Sequence, residues 1–243
     1  MPSSGLERLK RSAIRNLAGW GFVRPYSLYS MALWSLRGIK INGIVDGGAY
    51  DGAHSLQLSA LFPTADVYAF EPLEARFQQL TRIAKTNSRI IPINMALSDS
   101  SGDKILNCNK LDATSSFLET SEASEARDLF DGRGDTLERK TVRTTTLDDY
   151  AETRQGFRCD LLKLDVQGSE LPALLGATRT LKTTSAVVAE IRFKPAYRGD
   201  TLFREIDAFL GSEGLRLRCI TEVTHQPRDA SAFEANALWC RDS

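Results

Sequence analysis

At 243 residues, 42% hydrophobic and 26% charged, the chain holds enough apolar material for one sizeable α/β domain and too little length for two full ones. Its 31 basic and 31 acidic side chains cancel, which excludes a global field that would recruit nucleic acid. No apolar run reaches the ~20 residues of a membrane span, and the scattered Cys108, Cys159, Cys219 and Cys240 form no C-x-x-C pair, which argues against a zinc site or a disulfide framework. Reduced thiols and an N-terminus without a hydrophobic, cleavable stretch lead to the expectation of a cytoplasmic protein.

The charge is uneven along the chain. Residues 1–40 carry seven basic side chains and one acid, Glu7, so this head is +6 and the remainder −6. Residues 5–19 set Leu6, Leu9, Ala13, Ile14 and Leu17 on one helical face, and a second helix over 26–37 carries Leu28, Met31 and Trp34. A helical cap over residues 1–40, packed on the body, is expected. Its aromatics could wall a cleft or join two copies in a homo-oligomer.

From residue 43 the pattern alternates: strand 43–47, helix 53–61, strand 66–71, helix 73–86 and strand 89–94. After a gap come strand 159–165, helix 169–182, strand 185–191, helix 201–212, and strands 215–220 and 232–240. Alternation of this kind predicts a doubly wound, Rossmann-like parallel sheet with helices on both faces. Only a turn-rich stretch near His225 separates the last two strands, so the final strand is expected to be antiparallel. Residues 98–150 read as an insertion, a β-hairpin over 103–108 and 139–146 around a polar stretch, placed to shape specificity.

The chemistry concentrates at strand ends. Asp46-x-Gly48-x-x-x-Gly52 opens the first helix, and Glu71-Pro72 closes the second strand 23 positions after Gly48. Glycines let backbone approach a bulky ligand, and a strand-end carboxylate can accept both hydroxyls of a ribose. The spacing is not the Gly-x-Gly-x-x-Gly of dinucleotide sites. Asp46 and Asp51 would repel a pyrophosphate, which prefers bare helix amides, but Asp46 would attract a cationic amino-acid head group. A cofactor bearing an ammonium, a sulfonium and an adenosine meets both halves of the pattern, and that is S-adenosylmethionine. Tyr50 lies within the loop, and Met95 and Ala96, at the end of the third strand, are expected to cover the adenine.

The run from Leu162 to Glu170, Leu-Lys-Leu-Asp-Val-Gln-Gly-Ser-Glu, puts Asp165 at the carboxyl end of a central strand, and Glu190 ends the next one. These two carboxylates, with Glu170 nearby, are the candidate catalytic groups: a base for a weakly acidic hydroxyl, or in a variant mechanism the ligands of a divalent ion; Asp165 is also a candidate cofactor contact. His54, His225, the loop from Lys194 to Gly199, and Ser115 and Ser116 are secondary candidates. A nicotinamide-dependent oxidoreductase is disfavoured by the glycine spacing, and a non-catalytic S-adenosylmethionine-binding protein would need fewer acids at this edge.

Taken together, Val45-Asp46-Gly47-Gly48-Ala49, Phe70-Glu71-Pro72, Asn94 to Ser98, Thr145-Thr146-Leu147-Asp148, Leu162 to Glu170 and Ala189-Glu190 resemble the FkbM family of S-adenosylmethionine-dependent methyltransferases. The resemblance covers about residues 43–240 and leaves 1–40 outside. It implies a class I methyltransferase sheet of seven strands with an antiparallel final hairpin, over a domain spanning 41–243. It also implies O-methylation of a sugar, glycan or natural-product alcohol. Tyr50 departs from the family, which often has asparagine there.

Overall fold

The computed structural model describes residues 36, 39–122, 134–226 and 229–241. The expected helices of residues 1–40 and the middle of the polar insertion therefore lie outside the described residues. Within them, the main sheet has seven strands in the order β3-β2-β1-β7-β8-β10-β9. These are β1 (Gly43–Gly47), β2 (Asp66–Phe70), β3 (Ile90–Ile93), β7 (Leu161–Leu164), β8 (Ala186–Arg192), β9 (Leu215–His225) and β10 (Ala232–Arg241). The last strand, β10, lies between β8 and β9 and is antiparallel to both, as expected.

β1 is flanked by parallel strands on either side and buried at every position, which is why it reads as an uninterrupted apolar run up to Asp46. Its side chains still alternate. Val45 joins a core with Phe70, Leu162, Leu174 and Trp239 on one face, and Ile44 joins a core with Leu58, Val67, Leu80 and Val188 on the other. Each fully buried aliphatic side chain contributes about 1.5–3 kcal/mol, so the two cores clamp the central strand from both sides.

Helices α1 (Ala53–Leu61) and α2 (Glu74–Ala84) follow β1 and β2. The expected helix 169–182 is two short ones, α4 (Glu170–Leu175) and α5 (Thr178–Leu181). A Cβ on Gly176 would sit 2.1 Å from the Ser98 carbonyl oxygen, so glycine admits that strand connection against the helix and breaks it there. A further helix, α3 (Leu147–Thr153), was not expected from the pattern. α6 (Phe203–Ser212) matches its expected place.

The insertion is a three-stranded sheet. The expected hairpin is β5 (Gly102–Asn109) against β6 (Thr136–Thr145), antiparallel, and the short β4 (Ala96–Leu97) adds in parallel to β6. Between β5 and β6, Asp112–Thr114 forms one 3-10 turn. All four cysteines are free thiols, three of them buried. Among the described residues no helix is long and apolar enough to cross a membrane.

Candidate functional site

The carboxyl ends of β1, β2 and β7, the start of α1 and the insertion enclose a cleft of about 400 Å3. Gly48, Tyr50, Asp51, His54, Glu71, Pro72, Ala96, Asp112, Ser115, Asp165 and Gln167 are among its walls. A second hollow, of about 520 Å3, opens near the amino end of β7 between Asp148, Arg158 and Arg179, away from these groups. Ligands of open parallel sheets bind at the carboxyl edge, so the chemistry belongs to the first cleft.

Gly48 has φ 75°, and a Cβ on it would lie 1.9 Å from the Asp165 carbonyl oxygen. A residue with a Cβ could not bring the ends of β1 and β7 so close. The next wall is Glu71, whose side chain is buried. Its Oε2 accepts the Tyr50 amide at 2.9 Å and its Oε1 the Leu73 amide at 2.8 Å. Burial pushes this carboxyl up to about 7, against the pull of those two amides. Each oxygen keeps a free lone pair, as a ribose diol requires.

Tyr50 holds a left-handed φ of 51° and ties three elements together. Its hydroxyl donates to Asp112 Oδ1 at 2.7 Å, Arg76 Nε donates to Asp112 Oδ2 at 2.8 Å, and the guanidinium lies 4.1 Å from the Tyr50 ring centroid. Burial and the neighbouring Asp112 push the phenol up to about 12, so it remains a donor. The insertion is thereby fastened to the glycine loop and to α2 across the cleft.

Three expected cofactor contacts sit elsewhere. Asp46 is fully buried beneath the loop, its oxygens engaged by Ser55 Oγ at 2.6 Å and Lys163 Nζ at 2.9 Å, so its charge is already neutralised. Burial alone would depress the Lys163 ammonium, but Asp46 and Asp165 outweigh it and hold the charge. Gly52 is not in the wall either. With φ 81° it starts α1, and a Cβ there would strike Leu80 and Ile83 of α2 at 2.9 Å. Met95 packs on the core while its neighbour Ala96 lines the cleft.

The expected catalytic carboxylates divide in the same way. Asp165 lines the cleft with its side chain 31% exposed. Glu190, 16% exposed, is one residue removed from it, bound to Arg192 and to Gln167 Nε2 at 3.2 Å. Glu170, expected beside the acceptor, is instead enclosed. Its oxygens accept the amides of Val166 at 2.9 Å and Gly168 at 3.0 Å, which makes it the clamp of the Asp165–Gly168 turn. Burial pushes Glu170 up to about 7 and Glu190 well above the carboxylate range, with Arg192 opposing both.

Arg192 itself, on β8, escaped the sequence reading. It is 1% exposed, contacts Glu190, and has Glu234 at 3.7 Å, Asp200 at 3.8 Å and Glu170 at 4.0 Å. The available signal was an arginine two positions beyond Glu190, on the same face of a buried strand. Gln167, within the run from Leu162 to Glu170, also belongs to the site. His54 lines the cleft, its imidazole pushed down by burial and by Lys163. His225, exposed in the last hairpin, does not line it. Of the 194–199 loop, Tyr197 reaches inward, and Ser115 lines the cleft while Ser116 is buried behind it. Among the described residues no three His, Cys, Asp or Glu side chains are grouped as a metal ion would need.

Known proteins resemble this chain in sequence and in fold. Residues 46–217 match the Methyltransferase FkbM domain. The hexuronic acid methyltransferase AglP of Haloferax volcanii is 29% identical over 147 residues, 60% of this chain and 54% of that protein. The chain thus spans about half the length of this curated relative. The crystal structure of methyltransferase FkbM from Methylobacillus flagellatus KT superposes with a TM-score of 0.50 at 18% identity, over 86% of this chain and 47% of that one. Magnesium protoporphyrin IX methyltransferase from Synechocystis PCC 6803, crystallised with bound SAM, gives a TM-score of 0.48 at 13% identity over 88% and 78% of the two chains. The glycine cradle at Gly48 and the paired acceptors of Glu71 fit S-adenosylmethionine, and the domain match covers well over half of the sequence: the chain belongs to the FkbM methyltransferase family.

Proposed function

We propose that the chain transfers a methyl group from S-adenosylmethionine to a hydroxyl of a saccharide. The observation that carries this reading is the grouping of Asp165, Gln167 and Glu190 beside the cofactor cleft, where the acceptor hydroxyl needs a group to take its proton. The name of the hexuronic acid methyltransferase relative supports a sugar as the acceptor class.

Gly48, Tyr50, Glu71, Pro72 and Ala96 hold the cofactor, with Glu71 receiving the ribose hydroxyls. When bound, S-adenosylmethionine supplies a methyl group activated by its sulfonium charge. The residues supply alignment, worth about 7–11 kcal/mol in well-oriented reactions, and a route for the hydroxyl proton. Asp165, at the cleft wall, receives that proton. Glu190 lies within reach of Asp165 through Gln167 and shares the load. Glu170 acts through the backbone by fixing the Asp165–Gly168 turn.

The test is transfer of an isotope-labelled methyl group to a panel of neutral, acidic and amino saccharides and simple alcohols, with product position read by mass spectrometry. Label on a sugar hydroxyl is the expected result. Label only on non-sugar alcohols would move the acceptor class, and no transfer with tight cofactor binding would favour a binding protein without catalysis. Asp165→Asn is expected to lower kcat about 10²–10⁴-fold while leaving cofactor affinity within a few-fold. Parallel loss of affinity would contradict the role given to Asp165.

A further inference from the structure

The Gln167 side chain, at the cleft wall, is engaged at both ends of its amide. Nε2 donates to Asp165 Oδ1 at 2.8 Å and to Glu190 Oε2 at 3.2 Å. Oε1 accepts from Arg192 at 3.2 Å and lies 2.9 Å from the Tyr197 hydroxyl, whose proton is shared with the Thr114 carbonyl at 2.9 Å. The amide orientation is fixed by these partners, because carboxylates only accept and a guanidinium only donates.

The backbone is constrained as tightly. Gln167 has φ 53°, a left-handed conformation that is strained for a side-chain-bearing residue. It is held there by Ser116 Oγ, which donates to its carbonyl at 2.6 Å, and by Glu170, which accepts the amides on either side. Strain that is over-determined in this way, at the wall of a ligand cleft, marks a residue whose placement serves function. A glycine would relieve the backbone but would lose the amide.

We propose that Gln167 is a positioning residue for the acceptor step: its two N–H groups hold the Asp165 and Glu190 carboxylates side by side, while its oxygen ties the pair back to Arg192. An amide suits this task because it donates to two carboxylates and accepts from a cation at once. A glutamate in its place would add a third acceptor between two others, and a methionine would match the volume with no donor. The charged groups facing Glu190 are Arg192, Asp165, Glu234, Glu170 and Lys163, of which the two cations Arg192 and Lys163 favour its ionised form. Removal of the amide donors takes away one of the groups that oppose the repulsion between the carboxylates, so Glu190 takes up a proton at higher pH.

This inference rests on the methyl-transfer reading for its acceptor, and the test separates the two. Gln167→Glu and Gln167→Met are compared with the intact chain by calorimetry with S-adenosylhomocysteine, by 13C titration of the Glu190 carboxyl (its signal identified with Glu190→Gln), and by kcat against pH. The expected result is cofactor affinity within about threefold in both variants. The Glu190 midpoint rises by about one pH unit or more, further for glutamate than for methionine. In the same variants kcat falls roughly tenfold or more, and its acid limb moves upward. An unmoved Glu190 midpoint overturns the proposal, and so does a fall in cofactor affinity that parallels the fall in kcat. If the intact chain binds no cofactor, the methyl-transfer reading fails, and the carboxyl titration of the cofactor-free chain still decides the role of Gln167.

Discussion

At the scale of single residues, the two positions most legible in the sequence are also the two with the sharpest physical demands. Gly48 is required by a close approach, since a Cβ would meet the Asp165 carbonyl at 1.9 Å, and by its φ of 75°. Gly156 has nearly the same φ, 76°, but open space around it. Gly48→Ala is therefore expected to abolish measurable S-adenosylmethionine binding, while Gly156→Ala costs only about 1–2 kcal/mol of backbone strain and keeps it. Calorimetry and urea unfolding on the pair check this; equal affinities would show that the glycine loop is not the cradle. Glu71 carries a different signature. Its carboxyl sits at about 7 in the free protein, and ribose hydroxyls bond best to the ionised form. Cofactor affinity is thus expected to rise with pH through the neutral range, and Glu71→Gln should flatten that profile and weaken binding at pH 8 by about 1.5–3 kcal/mol, roughly 10–150-fold. Gln167 and Arg192 were less legible because their importance comes from partners up to 51 positions distant, which no local spacing reports.

At the scale of elements, strands and long helices followed from alternation, whereas the short pieces around Asp148 did not. α3 has seven residues, too few for a helical period to stand out, and its only local sign was Thr146 followed three positions later by Asp149, whose amide Thr146 Oγ1 accepts at 2.9 Å. The break between α4 and α5 depends on α3. Asp148, at the start of α3, accepts the Arg179 and Thr180 amides at 2.8 Å each and so caps α5, whose own N-cap position is Ala177. The cap arrives from 31 and 32 positions away, and helix 169–182 reads as continuous without it. Asp148→Ala is expected to lower stability by about 2 kcal/mol, because both amides lose a charged acceptor, with cofactor affinity unchanged. Urea denaturation and calorimetry provide the two readings. A loss below the error of extrapolation would mean that water replaces the cap.

Across the whole molecule, the order of the sheet was readable because each strand carries its own hydrophobic signal. The buried charge network was not, because it exists only once β10 lies beside β8 and brings Glu234 opposite Arg192. That network, together with Glu71 at the cleft, sets the response of stability to pH. Glu71, Glu170, Glu190, Asp200 and Glu234 are all pushed above the ordinary carboxylate range, mainly by burial. Between about 4.5 and 7 the folded state therefore holds protons that the unfolded chain has released, and stability falls as pH rises through this window. His54, pushed down, acts in the opposite sense near 6.5 but is one group against five. The carboxyls held low, such as Asp148 and Asp160, exert their effect below 3.8, where stability is lost as pH falls, and so lie outside the window. Arg192 is what makes the cluster tolerable once it ionises. Arg192→Met keeps much of the apolar volume but leaves Glu170, Glu190, Asp200 and Glu234 without their cation, and removal of one partner from a buried ionic group typically costs about 3–5 kcal/mol. The cost is expected to be largest at pH 8, where the carboxylates face one another unshielded, and to shrink toward pH 5, where protons take over the role of the guanidinium. Urea midpoints of the variant and the intact chain at the two pH values measure this directly. An equal loss at both would mean that Arg192 acts by packing against Tyr197, whose ring lies 5.1 Å from the guanidinium, and not by neutralising the acids around it.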